Sequence, residues 1–162
     1  MSSRINQLIH HLQLQTHPEG GFFKETYRSE ELLHSPDFGE SRNLLTNIYF
    51  LITSGNFSAF HRINSDELWY FHEGNSCVIH VLRQQGGYSS FKLGSDITNG
   101  ETYQATVKAG DWFASESTGN YSLVGCAVAP GFDFNDFEMA DRKKLILAFP
   151  EKLELIQRLT RV

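Results

Sequence analysis

The stretch GNFSAFHRINSDELWYFHEG, from Gly55 to Gly74, decides the fold of this chain. A β-forming segment at 58–63 leads into the turn residues Asn-Ser-Asp at 64–66, and an aromatic-rich segment follows them. This pattern predicts a tight β-hairpin. Because facing residues of an antiparallel pair lie within side-chain reach, His61 and Glu67 on either side of the turn would share one pocket.

The spacing within this stretch resembles the first motif of the cupin superfamily, Gly-x5-His-x-His-x3-Glu-x6-Gly. Its conserved positions are filled here by Gly55, His61, Glu67 and Gly74. Ile63 stands where the family has its second histidine. The resemblance implies a cupin jelly-roll barrel, and it places His61 and Glu67 at two of the family's usual metal-ligand positions.

A second cupin motif should follow, and residues 110–113, Gly-Asp-Trp-Phe, resemble its start. Counting from Gly110, the family's proline falls on Glu116 and its histidine falls on Tyr121. The chain therefore offers Ile63 and Tyr121 at the two remaining ligand positions that the resemblance implies.

Near the N-terminus, the run HPEGGFFKETYRS at 17–29 resembles the signature of a small group of RmlC-like cupins, a domain-of-unknown-function family known as the fifth cupin family. With the segments VAPGFDF at 128–134 and FE at 137–138, the resemblance extends over nearly the whole chain. It implies homodimers that pair through their sheets. It leaves the activity open.

The 162 residues suit one well-cored domain, 1–162. A net charge of −5 argues against a nucleic-acid partner, since phosphate backbones require clustered Lys and Arg. No segment approaches the roughly 20 apolar residues of a membrane span, and the start lacks the apolar core of a signal peptide. We therefore expect no membrane partner and a cytoplasmic protein. Cys77 and Cys126 lie in apolar, strand-like runs, which favours buried thiols.

The remaining sequence predicts many short strands between Gly, Asn and Asp turns, which is typical of an all-β sandwich or barrel. Apolar residues at helical spacing predict an N-terminal helix over 2–14, with Ser2 or Ser3 as its cap, and two short C-terminal helices hinged at Pro150. The predicted strands cover 23–28, 45–52, 58–63, 67–71, 76–83, 88–93, 101–108, 112–115 and 121–129.

Strand alternation predicts which side chains face the pocket. If His61 points inward, Phe57, Ala59 and Ile63 do so as well. By the same rule, Trp69 and Phe71 point inward if Glu67 does. An aromatic cavity with few polar groups is typical of a small-molecule site, although the same rings could instead form the barrel core. The predicted substrate-binding residues are Phe57, Trp69, Phe71 and Arg28. Either Arg28 or Arg62 would bind an anionic group of the substrate.

Three functions fit these residues. In the first, His61 and Glu67 bind a divalent metal ion. Such a site needs about three protein ligands, and neither Ile63 nor a phenol with a pKa near 10 is a good third one.

The second function is metal-independent acid–base chemistry, with no cofactor. Here His61 titrates near neutrality, Glu67 orients it, and Tyr121 donates a proton from the facing strand. This division of labour is similar to the histidine and tyrosine pairing of the deoxysugar epimerases among the RmlC-like cupins. It predicts an isomerase or epimerase that acts on a carbohydrate-like substrate.

The third function is non-catalytic, either binding of a small metabolite or a structural role. It is distinguished by whether His61, Glu67 and Tyr121 converge on an open cavity. If their polar atoms are all satisfied and Trp69 or Trp112 plugs the mouth, binding or structure is favoured.

Overall fold

The computed structural model of the protein describes residues 3–161. The first helix begins at Ser3, and the alternative cap at Ser2 lies outside the described residues. The helices are α1 (Ser3–His11), α2 (Arg142–Ala148) and α3 (Leu153–Arg158). The strands are β1 (Gln15–Thr16), β2 (Phe22–Arg28), β3 (Leu32–Leu33), β4 (Arg42–Asn43), β5 (Thr46–Thr53), β6 (Phe57–Arg62), β7 (Asp66–Gly74), β8 (Cys77–Leu82), β9 (Tyr88–Leu93), β10 (Gln104–Val107), β11 (Trp112–Ser117), β12 (Tyr121–Ala129) and β13 (Glu138–Met139).

Two antiparallel sheets form the body of the protein. One has six strands in the order β1-β2-β5-β12-β7-β10, and the other has five in the order β13-β6-β11-β8-β9. The short pair β3-β4 stands apart from both. This arrangement confirms the predicted jelly-roll barrel, because strands β5 to β8 and strands β10 to β13 alternate between two sheets that face each other.

The main core lies between the two sheets. Phe50, Trp69 and Val124 enter it from the six-stranded sheet, and Ile79 and Phe113 enter it from the five-stranded sheet. Each of these side chains is at most 1% exposed. Burying aromatic and aliphatic side chains in this way contributes roughly 1.5–3 kcal/mol for each one.

The helices cover the outer faces of the sheets. On the six-stranded sheet, α1 packs Ile5 and Leu8 against Leu51. On the five-stranded sheet, α2 and α3 bury Leu145 and Ile156. The two predicted C-terminal helices are confirmed, and a 3₁₀ turn that begins at Pro150 separates them. None of the helices described within residues 3–161 combines the length and apolarity needed to cross a membrane.

The predicted hairpin around His61 and Glu67 is wrong. β6 pairs with β11 in the five-stranded sheet, whereas β7 pairs with β12 and β10 in the six-stranded sheet. The turn at 63–65 therefore carries the chain from one sheet to the other. His61 and Glu67 reach the same cavity from opposite walls of the barrel.

A β-bulge in β6 also breaks the predicted alternation. Phe113 pairs with His61 and Ser115 pairs with Ser58, so three steps on β6 match two on β11. Ser58 consequently points toward the interior, where its hydroxyl reaches Glu19. Phe57 instead packs with the outer cluster under the C-terminal helices.

Candidate functional site

A cavity of about 330 Å³ opens between the two sheets at one end of the barrel. His61, Glu67, Glu19 and Cys126 line it, and all four side chains are buried. Its outer part is lined by phenylalanine side chains and by charged groups from β2 and from the 131–134 segment. The cavity therefore combines a buried polar group with an aromatic entrance.

The turn between β1 and β2 carries Glu19 into the barrel. The Ala59 amide donates to the Glu19 carbonyl at 2.9 Å, and the Arg161 guanidinium also donates to it. Gly20 follows with a φ of +112°, and a Cβ atom there would overlap the Phe57 carbonyl oxygen. This close approach requires glycine, so the paired glycines hold Glu19 against β6.

Glu19 and His61 form a buried ion pair. His61 Nε2 lies 2.9 Å from Glu19 Oε2, while His61 Nδ1 lies 2.7 Å from the Ala59 carbonyl oxygen. The Ser58 hydroxyl donates to Glu19 Oε1 at 2.9 Å. Because both ring nitrogens face acceptors, the ring satisfies them best as an imidazolium that donates from both.

The electrostatics of the pair agree with this assignment. Burial disfavours the imidazolium, but the adjacent Glu19 carboxylate, with smaller contributions from Glu67 and the Ala59 carbonyl, outweighs burial and raises the pKa of His61. Burial likewise opposes ionisation of Glu19, yet His61 lowers the pKa of that carboxyl below its ordinary value. The two groups therefore hold each other in the charged state.

The pKa of Glu67 shifts in the opposite direction from that of Glu19. It lies opposite Val128 in the β7–β12 register, and its side chain is 8% exposed. Burial raises the pKa of Glu67 to about 7, with His61 opposing this shift and the Glu19 charge adding to it. The neighbouring Cys126 thiol also opposes this rise in the pKa of Glu67. Two neighbouring carboxyl groups thus have pKa values driven apart, a pattern found where one of them exchanges protons.

His17 supports Glu19 from the other side. Its Nδ1 accepts from the Glu19 backbone amide at 3.3 Å and lies 3.7 Å from the Glu19 carboxylate. Burial lowers the pKa of His17, so the ring is neutral at pH 7. Its edge packs on Phe23 with ring centroids 4.6 Å apart.

Arg28, which was predicted to bind an anionic group of the substrate, lines the mouth of the cavity. A bulge at Thr26, between Glu25 and Tyr27, turns Arg28 to the same side as Glu25. Both Glu25 carboxylate oxygens accept from it, at 2.8 and 3.0 Å. Its other N–H groups donate to Asn43 and to the Phe132 carbonyl. All five donors of the guanidinium therefore have partners.

Tyr121, the predicted proton donor, lies far from the cavity. It pairs with Thr53 at the start of β12, seven residues before Val128, which is about 23 Å along a strand. Its hydroxyl donates to Glu73 at 2.9 Å, and its ring packs against the α1 cluster. The structure does not bring it to His61.

Three of the four predicted substrate-binding residues also do not line the cavity. Trp69 is a fully buried core side chain, and Phe71 packs against the same core. Phe57 lies on the outer face beneath the C-terminal helices and under the Arg161 guanidinium. These rings contribute to packing, as the alternative interpretation of the sequence allowed.

The predictions from local sequence spacing did not include several residues of the site. Glu19 and His17 come from the HPEGG turn, whose glycines signal a tight approach but not its partner. Phe132, Asp133 and Phe134 come from the segment after β12. A carboxylate directly before paired glycines was the one signal that could have pointed to Glu19.

The residues do not fit the metal that the cupin resemblance implies. Within residues 3–161, no group of three or more His, Cys, Asp or Glu side chains is arranged to hold a metal ion. Ile63 is a core residue at the second histidine position, and Tyr121 is remote. His61 Nε2 is already bonded to Glu19.

Comparison with known proteins places the chain in a family. The family model for the Cupin superfamily (DUF985) matches residues 6–140. The uncharacterized protein YML079W of Saccharomyces cerevisiae is 34% identical over an alignment of 176 residues, and this alignment covers 93% of this chain and 83% of that protein.

Two solved structures match this chain over nearly its whole length. A hypothetical protein from Leishmania major matches with a TM-score of 0.90 and 32% identity over 100% of both chains. Protein SO0799 from Shewanella oneidensis matches with a TM-score of 0.88 and 39% identity over 96% of both chains. Oxalate decarboxylase from Bacillus subtilis shares the fold alone, with a TM-score of 0.55 and 15% identity over 89% of this chain and 36% of that one. The chain therefore belongs to the DUF985 family of the cupin superfamily.

Proposed function

We propose that the cavity binds a small carbohydrate-like metabolite and that Glu67 transfers a proton within it, without a metal ion. The observation that carries this proposal is the buried Glu67 carboxyl, which lines the cavity and has a pKa of about 7. A group that titrates near the working pH can both remove a proton and return it. The volume of about 330 Å³ falls in the usual range for small-molecule sites.

The proposed reaction is a proton shift next to a carbonyl. Ionised Glu67 takes the proton from the carbon beside the carbonyl, and the electron pair of that C–H bond forms a C=C bond. The carbonyl oxygen takes up the negative charge as an enolate. The proton of the hydroxyl group on the deprotonated carbon passes to this enolate oxygen, so the negative charge moves to the second oxygen. The carboxylic acid of Glu67 then returns its proton to the former carbonyl carbon, and the carbonyl group ends on the neighbouring carbon. The imidazolium of His61 lies near Glu67 and opposes the rise in its pKa, which keeps the ionised form accessible.

A single proton carrier on one face of the substrate favours isomerisation over epimerisation. Inversion of a stereocentre needs a second group on the opposite face, and Tyr121 is bonded to Glu73 elsewhere. The pairing of His61 with Tyr121 is therefore no part of this proposal. His61 acts through its charge, because both of its nitrogens are engaged.

The test is hydrogen exchange in deuterium oxide with a panel of reducing sugars, followed by NMR. We expect deuterium to enter the carbon beside the carbonyl, and Glu67→Gln to slow this by at least about 100-fold. Glu73→Gln, on the same strand but outside the cavity, is the matched control and should keep the exchange. No enzyme-dependent exchange in any sugar, or undiminished exchange in Glu67→Gln, would contradict the proposal.

Binding without catalysis is the second candidate. It is favoured by the saturation of Arg28 and His61, whose N–H groups all have protein partners. Sugars that raise the melting temperature but show no hydrogen exchange would support this candidate over the first.

A further inference from the structure

We propose that the ligand of this cavity carries a positive charge, as a hydroxylated primary amine of the amino-sugar class, rather than an anionic group. This inference names the ligand class for the proposed function and rests on the same cavity. It is argued from the partners of the lining side chains, from their charges and from the aromatic rings at the mouth.

The cationic side chains that line the cavity have no donor to spare. Arg28 gives its five N–H groups to Glu25, Asn43 and the Phe132 carbonyl. His61 gives both of its N–H groups to Glu19 and the Ala59 carbonyl. A phosphate or carboxylate ligand would have to break one of these bonds, which costs more than it returns. The cavity is therefore poorly built for an anion.

Carboxyl groups, in contrast, outnumber cations among the described lining residues. The carboxyl groups belong to Glu19, Glu25, Glu67 and Asp133, and the cationic groups to Arg28 and His61. Ion pairs account for Glu19 and Glu25, and the charge of Asp133 acts on Arg28 and Arg42 without a direct ion pair. Asp133 uses one oxygen to accept from the Asn135 amide at 2.8 Å, and the donor that lowers the pKa of Glu67 is the weak thiol of Cys126. Glu67 is also more than nine-tenths buried, so an ammonium group would provide it with the strong donor it lacks.

The aromatic rings at the mouth suit a cation as well. Phe134 lines the cavity, and 57% of it is exposed, so its ring is accessible to a ligand at the mouth. Its loop is fixed, because Asp136 forms a buried ion pair with Arg42 at 2.6 Å. Phe132 packs edge-on against it at 4.9 Å. Exposed aromatic faces held beside carboxylates are the surroundings in which proteins bind ammonium groups.

The test is calorimetric titration at low salt with three matched probes: glucosamine, glucose and glucuronate. We expect glucosamine to bind about tenfold more tightly than glucose, because it adds a charge-assisted hydrogen bond, and glucuronate to bind more weakly than either. Added salt should reduce the advantage of glucosamine over glucose.

Three variants assign the effect to the carboxyl groups and to the mouth. Glu67→Gln removes the buried carboxyl and should abolish most of the preference for the amine. Asp133→Asn keeps a side-chain acceptor for the Asn135 amide and should reduce the preference by a smaller factor. Phe134→Leu keeps an apolar side chain on an exposed position and should weaken glucosamine about two- to fivefold while leaving glucose unchanged. Glu154→Gln, which removes an exposed charge from α3, is the control and should change neither affinity.

Glucuronate that binds as tightly as glucosamine, an undiminished preference in Asp133→Asn, or no binding of glucosamine would each overturn the proposal. The preference for amines and the proposed proton transfer can be supported or refuted independently of each other. Exchange of a neutral sugar that depends on Glu67 would support that chemistry even if the preference for amines failed. Tight amine binding without exchange would support the ligand class alone.

Discussion

At the residue scale, the raised pKa of Glu67 makes stability depend on pH. Its pKa is 4.5 in an ordinary environment and about 7 in the folded protein. Between these values the folded state holds more protons than the unfolded state, so stability falls as pH rises through this window. We predict that Glu67→Gln removes this fall and is more stable than wild type at pH 8 by on the order of 2–3 kcal/mol. Urea denaturation at several pH values measures the difference. A parallel decline in both proteins would argue against the assignment.

The ion pair between Glu19 and His61 gives a second prediction at this scale. Glu19→Gln leaves a buried imidazolium without its carboxylate, which should destabilise the fold by about 3–5 kcal/mol at pH 6. The pKa of His61 should fall, because its raised value depends on Glu19. Denaturation and NMR titration of the imidazole measure the two effects. The exposed change Glu151→Gln should alter neither, and an unmoved His61 titration in Glu19→Gln would contradict the pairing.

At the element scale, the turn before β2 is the part of the fold that the site needs most. We predict that Gly20→Ala destabilises the protein by more than about 2 kcal/mol, because its Cβ meets the Phe57 carbonyl at a positive φ. Gly55→Ala is the matched control. It has a φ of +76° but open space around it, so it should cost only about 1 kcal/mol. Thermal unfolding of the two variants compares the costs, and equal costs would show that the close approach is not needed.

The strands also show which features of the fold local sequence patterns can predict and which they cannot. The strands at 88–93 and 121–129 have the predicted bounds, because alternation and turn residues are local signals. The hairpin around 64–66 was wrong because turn residues mark where a chain reverses and not which sheet receives the next strand. The bulges in β2 and β6 add one residue each and shift the inward parity, so alternation misplaced Phe57.

At the scale of the whole molecule, the site is assembled from segments that are distant in sequence. The cupin spacing identified His61 and Glu67 as cavity residues, and both line it. The partner of His61 comes instead from the N-terminal turn, and the mouth comes from the segment after β12. Such contacts follow from the closure of the barrel. A local signal such as the carboxylate before the paired glycines could mark Glu19, but it could not reveal that Glu19 meets His61.

The poor fit of the site to a metal gives a prediction for the whole protein. We expect protein purified without chelator to carry much less than one equivalent of any divalent metal, and chelator to leave its melting temperature unchanged. Elemental analysis and thermal unfolding, repeated on His61→Ala, measure this. One equivalent of metal that disappears in His61→Ala would return the chain to the metal-dependent cupins.

The most direct test of the account is a titration of the glutamate carboxyl carbons by NMR, with Glu67→Gln to assign the signal. The account predicts one carboxyl that titrates at about 7 and is missing from the variant. If every glutamate titrates below about pH 5, or if the near-neutral signal persists in Glu67→Gln, then Glu67 is not the proton carrier that the proposed chemistry requires.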